Sequence, residues 1–369
     1  MTTIGIDLGT TNSVAAIDGK VLGIGVGGSP ILPSVVSFPP SRSVVVGAEA
    51  KHRKTIDPEN TIFSAKRIIG RKWLSSDAAE FRRRYPFELV EKNGYPLFVT
   101  RMGEISPTEI ATTILKQIHG NDEVAKVRHL AKTVITVPPL FGIREMDATI
   151  KAATNAGFSD VRIIDEPSAT AEAYLADITE PTEIAVVYDL GGGTFDLAVL
   201  DCQTSPAQVI AHEGDLYLGG DDIDFALADW VANQVLESNG WDLKSHRPVY
   251  ANLLDECERA KVRLSTGGEP SINLQRVDPA APVWLHNMTL PADVVESIVS
   301  GFVRRTFSLC DEILHKAGVK VEQVDRVFLA GGLTQLPQIQ SGVASYFGKD
   351  ISQHYNPMHV VAIGASLIE

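Results

Sequence analysis

Two stretches of this 369-residue chain carry residues that could hold phosphate: IGIDLGTTNSVAAI, Ile4 to Ile17, and VVYDLGGGTFDLAVL, Val186 to Leu200. Each runs from an apolar segment into Asp-Leu-Gly, then small residues with Thr, then a second apolar segment. Gly9 in the first, and Gly191, Gly192 and Gly193 in the second, permit a tight turn and let backbone N–H groups approach an anion. Thr10, Thr11, Asn12 and Thr194 add side-chain donors. Asp7 and Asp189 place a carboxylate where each strand should simply continue. One such turn is weak evidence, but two matched copies about half the chain apart would face each other and clamp a polyphosphate. Two aspartates beside phosphate then need a cation, and Mg2+ suits hard oxygen ligands, held mostly through water.

The elements that must position these residues follow from the pattern. Apolar runs at Ile4 to Ile6, Val14 to Ile17 and Val35 to Phe38, separated by Gly, Pro, Asn and Asp, read as a β-meander. Ser106-Pro107-Thr108-Glu109 is a capping box with Pro at the first helical position, opening a helix to about Ile118. TVITV, Thr133 to Val137, reads as a strand covered on both faces and ended by Pro138-Pro139. With a helix over Arg144 to Ala156, closed by Gly157, and a strand over Val161 to Ile164, it forms a βαβ unit. Farther on, Ile184 to Tyr188 and Phe195 to Leu200 flank the Gly-rich turn. Helices are expected over 222–238, 249–265 and 291–317, with Gly240 and Gly318 as stops, and Val327 to Ala330 reads as a buried strand. GIGVGG, Gly23 to Gly28, matches a dinucleotide fingerprint but runs into SPILP, where no helix can receive a pyrophosphate, so it reads as a hairpin connection.

Bulk properties narrow the class. The length suggests two domains, and the composition is that of a folded protein. A formal charge of −13 argues against a general nucleic-acid or anionic-membrane binder, and Arg82, Arg83 and Arg84 read as a solvated helix face. Cys202, Cys257 and Cys310 are too few and too scattered for a disulfide framework or a CxxC metal site, which fits a reducing cytoplasm. No leader pattern opens the sequence, and no apolar run reaches membrane-spanning length.

In order and spacing, IGIDLGTTNS, TVITVPPLF, RIIDEPSATAEAY, VYDLGGGTFD, LYLGGDDID, ERAKVRLS, VFLAGGLTQLP and NPMHVVAIGAS resemble the nucleotide-binding domain of the Hsp70 (DnaK-like) family, over essentially the whole chain. The resemblance implies an α/β, two-lobed actin-like ATPase fold, two ribonuclease-H-like domains with a central nucleotide cleft. Lobe I would span 1–182 with an inserted subdomain at about 35–105. Lobe II would span 183–369 with an insertion at about 221–290, and a last helix at about 357–369 would pack back on lobe I. It also implies slow, Mg2+-dependent hydrolysis of ATP to ADP, with K+ as a further ion the family admits. Gly9 to Asn12 and Gly191 to Thr194 match the two phosphate loops, and Asp7 and Asp189 the aspartates around the metal. Lys66, in FSAKRIIGRKW, matches the lysine that reaches the γ-phosphate, Glu166 a carboxylate orienting metal-bound water, and Pro138 a switch between lobes. Gly220, in the LYLGGDDID motif, Glu258, Lys261 and Ser265, on one helix face, and Gly331 and Gly332 fall at the nucleoside end. From the residues alone, Lys66 reads as a surface lysine, Glu166-Pro167 as a helix start, and Glu258–Lys261 as an exposed ion pair.

Three departures stand out. Gln335 replaces the arginine that the family packs on adenine, and Met358-His359 replaces two acids of the family's NPDEAVA. At the edge that receives the linker and J-domain, Leu140, Gly142, Ile143 and Met146 replace polar groups, although Arg162 is retained. The partners implied are nucleotide, a J-domain protein and a nucleotide exchange factor, with peptide clients reached only through a further domain. A monomer is expected, and the stop at Ser366 to Glu369 within an apolar helix reads as an excised domain or a naturally short relative, the abrupt end favouring the first. An actin-like filament protein, a small-molecule kinase and a nucleotide-binding regulator with weak hydrolysis share these motifs and stand as alternatives.

Overall fold

The computed structural model describes residues 2–40, 43–204, 206–265, 267–282, 287–351 and 354–368. Strand β1 (Thr3–Leu8) forms a hairpin with β2 (Asn12–Ile17) and pairs on its other side, in parallel, with β3 (Lys132–Val137), which pairs in parallel with β4 (Val161–Asp165). Strand β5 (Ile184–Leu190) repeats the scheme: it forms a hairpin with β6 (Phe195–Asp201) and pairs in parallel with β8 (Arg326–Ala330), while β7 (Gln208–Asp215) extends the far edge. Asp7 and Asp189 thus occupy the same place, the penultimate residue of each central strand.

The meander expected at the start is confined to the β1–β2 hairpin. Lys20–Val21 and Leu32–Pro33 both pair with β2, one after the other along its edge, so GIGVGG is not a hairpin connection but a loop that carries the chain down that edge. Val35–Ser37 leaves this sheet altogether and pairs with Val45–Val46 and Thr61–Phe63. Asp7 does not interrupt its strand either, because its backbone pairs with both Val14 and Thr136.

Nine helices matter for the site: α1 (Ala48–Arg53), α2 (Ser76–Arg84), α3 (Pro107–His119), α4 (Ile143–Ala156), α5 (Glu166–Asp177), α6 (Gly220–Asn239), α7 (Arg247–Ser265), α8 (Ala292–Ala317) and α9 (Val360–Leu367). The capping box at Ser106 forms as its sequence dictates, and Gly157, Gly240 and Gly318 close α4, α6 and α8 in the left-handed conformation. The βαβ unit β3–α4–β4 is present. Arg82 to Arg84 are not a solvated face: Arg83 is exposed, but Arg82 lies 4.0 Å over the Trp73 ring and Arg84 binds Glu80 and Asp222.

Apolar clusters fill each half, and a third joins them, with Val134, Tyr174, Val187, Phe328 and Val361 packed around α5 and α9. The last helix is shorter than 357–369, beginning at Val360 after a turn, and Glu369 lies outside the described residues. It packs on β1, β2 and α5, and there it has no room for a side chain at Gly364, where a Cβ would sit 1.6 Å from the Ala169 carbonyl oxygen. Gly364→Ala must therefore push α5 and α9 apart at the join between the halves. We expect a loss of about 2–4 kcal/mol in urea unfolding, or failure to fold. Unchanged stability would show that the helices separate freely. Among the described residues no helix is long and apolar enough to cross a membrane, and the three cysteines are free.

Candidate functional site

A cavity of about 530 Å3 opens between the two hairpins. Every residue expected at the site lines it: Asp7, Gly9 to Asn12, Lys66, Pro138, Glu166, Asp189, Gly191 to Thr194, Gly220, Glu258, Lys261, Ser265, Gly331, Gly332 and Gln335. Met358 lines it too. The hairpin turns touch each other: a Cβ on Gly192 would lie 2.3 Å from the Thr11 hydroxyl, so the two loops close on one another only because that residue is glycine.

The closed end is electrostatically loaded. Lys66 is no surface lysine: its ammonium donates to Glu166 Oε1 at 2.7 Å, and both side chains are 9% exposed. Glu166 does start α5, with Asp165 as the cap, so the helix-start reading and the site reading hold together. Burial and the Glu166 charge push the Asp7 carboxyl up to about 7, although the Thr136 hydroxyl donates to it at 3.4 Å. Burial and Glu166 also raise Asp196 to about 7 and Asp189 well above its ordinary range. Burial works against the charge on Lys66, but Glu166 and Asp7 outweigh it and hold the lysine protonated.

Four carboxyl groups therefore surround one ammonium, in a place where they cannot all ionise unless more positive charge arrives. Among the described residues the Asp196 Oδ2 and the Thr11 hydroxyl are buried without a hydrogen-bond partner. Hard oxygen donors short of cation, beside orphaned polar atoms, fit a bound Mg2+ with a phosphate chain. Asp196 escaped the sequence reading. Its signal was present, since it stands directly across the β5–β6 ladder from Asp189, an acid in the otherwise apolar run FDLAVL.

The open end is arranged differently from the expected Glu258–Lys261 pair. Both residues do lie on one face of α7, yet each binds elsewhere. Lys261 donates to Asp224 at 2.6 Å and to the Gly220 carbonyl at 2.7 Å, while Glu258 accepts from Lys51 of α1 at 2.6 Å, across the cavity. Burial opposes charge on Glu258, but Lys54, Lys51 and Lys261 outweigh it and hold its carboxyl down at about 2. Lys51 and Lys54 had no motif to mark them, while Asp224 closes the LYLGGDDID motif but was not singled out within it. Val262, Leu333, Leu336 and Met358 make the remaining wall apolar, and the Gln335 carboxamide among them makes no hydrogen bond within the described residues. At the outer edge Ile143 is 78% exposed, Met146 packs on the core, and Arg162 is exposed 3.8 Å from Asp160.

Such an arrangement can hold a triphosphate by backbone donors and an ammonium, and can offset charge as a terminal phosphoryl group transfers. The family model for Hsp70 protein matches residues 3–369, so the chain belongs to the Hsp70 family. It accordingly has the two-lobed actin-like ATPase fold and is a chaperone-type ATPase domain of a family that binds ATP and ADP.

Proposed function

We propose that this domain binds ATP with Mg2+ between its two Asp-Leu-Gly hairpins and hydrolyses it slowly to ADP and phosphate. The observation that carries this is the set of four carboxyl groups, Asp196 and Glu166 buried and Asp7 and Asp189 partly buried, gathered around Lys66 at the closed end of the cavity. Asp7, Asp189 and Glu166 would hold Mg2+, mostly through water, and when bound it would supply the missing positive charge beside the phosphoryl oxygens. The backbone of Gly9 to Asn12 and Gly191 to Thr194, with the Thr10, Thr11 and Thr194 hydroxyls, cradles the phosphates. Lys66 lies where charge spreads during transfer, while Glu166 orients both the lysine and a water. Glu258 and Lys261 reach the ribose, with Ser265, Gly220, Gly331, Gly332 and Gln335 around the base.

The lobes are proposed at 1–182 and 183–369, moving about the β3 end at Pro138 as nucleotide changes. The Lys51–Glu258 pair spans the opening between them and closes with them. The same reading takes the domain as cytoplasmic and monomeric, with K+ as an accessory ion, serving a peptide-binding domain and a nucleotide exchange factor. Exposed Ile143 in place of a polar group supports a weaker J-domain contact than is usual in the family.

Calorimetric titration with ADP and ATP, with and without Mg2+, tests the assignment: tight binding only with the metal supports it, and absence of binding ends it. Gln335→Arg tests the base end. A guanidinium stacked on the base adds up to about 1.4 kcal/mol, so the variant should bind ADP up to tenfold more tightly. An unchanged Kd would place the base elsewhere.

A further inference from the structure

A second cavity, of about 310 Å3, lies beyond the Lys51–Glu258 pair, which lines both cavities. Its walls come from both sides of the opening: α1, the strand Thr61–Phe63 and the end of α2 on one side, α6 and α7 on the other. The lining has two unusual features. Four aromatic rings face it, Phe63, Tyr85, Phe225 and Tyr250, of which Tyr85 is edge-on to Phe63 at 5.5 Å and to Phe225 at 6.3 Å. Positive charge is also in excess, with six Lys or Arg against three carboxylates among the lining residues.

Much of that excess is spent on carboxylates just outside the lining, Arg83 and Arg84 on Glu80, Arg84 also on Asp222, and Lys244 on Asp229 at 2.8 Å, which leaves Lys54 and Arg82. Each of the three carboxylates already has a cation: Glu258 takes Lys51, Asp224 takes Lys261, and Asp221 faces Arg67 at 3.6 Å. Lys54 makes no ion pair among the described residues, and its ammonium lies 4.1 Å from the centre of the Phe63 ring. Arg82 donates only to the Trp73 carbonyl. Tyr85 is 6% exposed, and among the described residues its hydroxyl has no well-formed hydrogen bond, with Ser64 beside it. Aromatic faces, the Lys54 ammonium without an ion pair and a buried hydroxyl in one space of this size suit an occupant with a ring and a negative charge.

We propose that this second cavity binds a small aromatic anion, a planar ring carrying a carboxylate or a comparable acid, at the same time as nucleotide occupies the first. The ring lies among Phe63, Tyr85 and Phe225, and the acid meets Lys54 at the rim. Such a ligand touches both sides of the opening at once.

The test uses the full chain saturated with Mg·ADP and 1-naphthoate as the probe, followed by calorimetry. Acetate serves as the anion without a ring and 1-naphthalenemethanol as the ring without a charge. Saturable naphthoate binding is expected, at least tenfold tighter than either control. Lys54→Met and Phe225→Ala should each weaken it at least tenfold, and Phe225→Ala should do so while leaving the affinity for ADP unchanged; using both keeps the test sound if the Phe225 variant folds poorly. Loss of naphthoate when Mg·ADP is added, equal binding of a control, or naphthoate binding unaltered in Lys54→Met would overturn the proposal. The nucleotide assignment fails separately, through absent ADP binding, and naphthoate titrated without nucleotide still reports on the second cavity.

Discussion

Lys66→Ala should lower the single-turnover rate of ATP hydrolysis by about 100- to 1000-fold while ATP and ADP still bind within a few-fold of the original affinity. The asymmetry follows from what the side chain does. Among the described residues its ammonium is the cation that acts on both Asp7 and Asp196, and it carries a 2.7 Å hydrogen bond to Glu166. In the ground state many donors share the phosphates, and the turn backbone and Thr hydroxyls remain when the lysine is gone. During transfer, charge spreads over the phosphoryl oxygens at the closed end, where Lys66 is the ammonium among the described residues, Lys51 and Lys261 lying at the open end. Loss of one partner of a buried pair also costs stability, of the order of 3 kcal/mol when the other stays charged. Rapid-quench measurement on Mg·ATP, beside a binding titration of the same variant, separates the two effects. A variant that turns over at the original rate would remove Lys66 from the reaction, whereas a variant that fails to bind would make it a structural residue.

What the sequence made legible was local or duplicated. Asp7 and Asp189 could be paired because their surroundings repeat, and the structure puts both at one register position in matching strands. Capped helices and the β-branched strand over Lys132–Val137 were readable because each carries its signal within a few residues. Partners distant in sequence were not readable. Lys51 meets Glu258 and Lys261 meets Asp224 only because helices from far along the chain converge, and no spacing within α7 announces it. For the same reason Lys66 looked like a surface residue until β4 and α5 brought Glu166 against it. Strand edges were misread where two short segments share one neighbour, since the sequence of the loop Gly23 to Gly28 is compatible with a hairpin as well as with a shift along β2. Arg82 to Arg84 show the limit of charge runs: each arginine found a different neighbour, one a ring, one a helix carboxylate and one a carboxylate across the opening.

The crowding of carboxyl groups at the closed end sets a pH dependence of definite sign. Asp196 and Asp7 each rise from an ordinary 3.8 to about 7 in the folded protein. An acid whose pKa is raised by folding leaves the native state favoured while both states hold the proton. It subtracts stability as pH climbs from about 4, where the unfolded chain ionises, to about 7, where the folded group does. Three pH units at about 1.4 kcal/mol each give at most about 4 kcal/mol for one group. The sum over the cluster is smaller than additive, because neutralising one carboxyl relieves its neighbours. Other acids, Glu258 among them at about 2, slope the opposite way at low pH, so the informative quantity is a difference. Asp196→Asn, which keeps the shape and cannot ionise, should match the original protein near pH 4 and exceed it by about 2–4 kcal/mol near pH 8, in urea unfolding without nucleotide or metal. A difference that stays constant with pH would mean Asp196 is charged at neutrality without cost. With Mg·ADP present the gap should close, since a cation set among these carboxyl groups stabilises the ionised form that the empty protein resists. A gap that persisted under saturating Mg·ADP would place the metal away from Asp196.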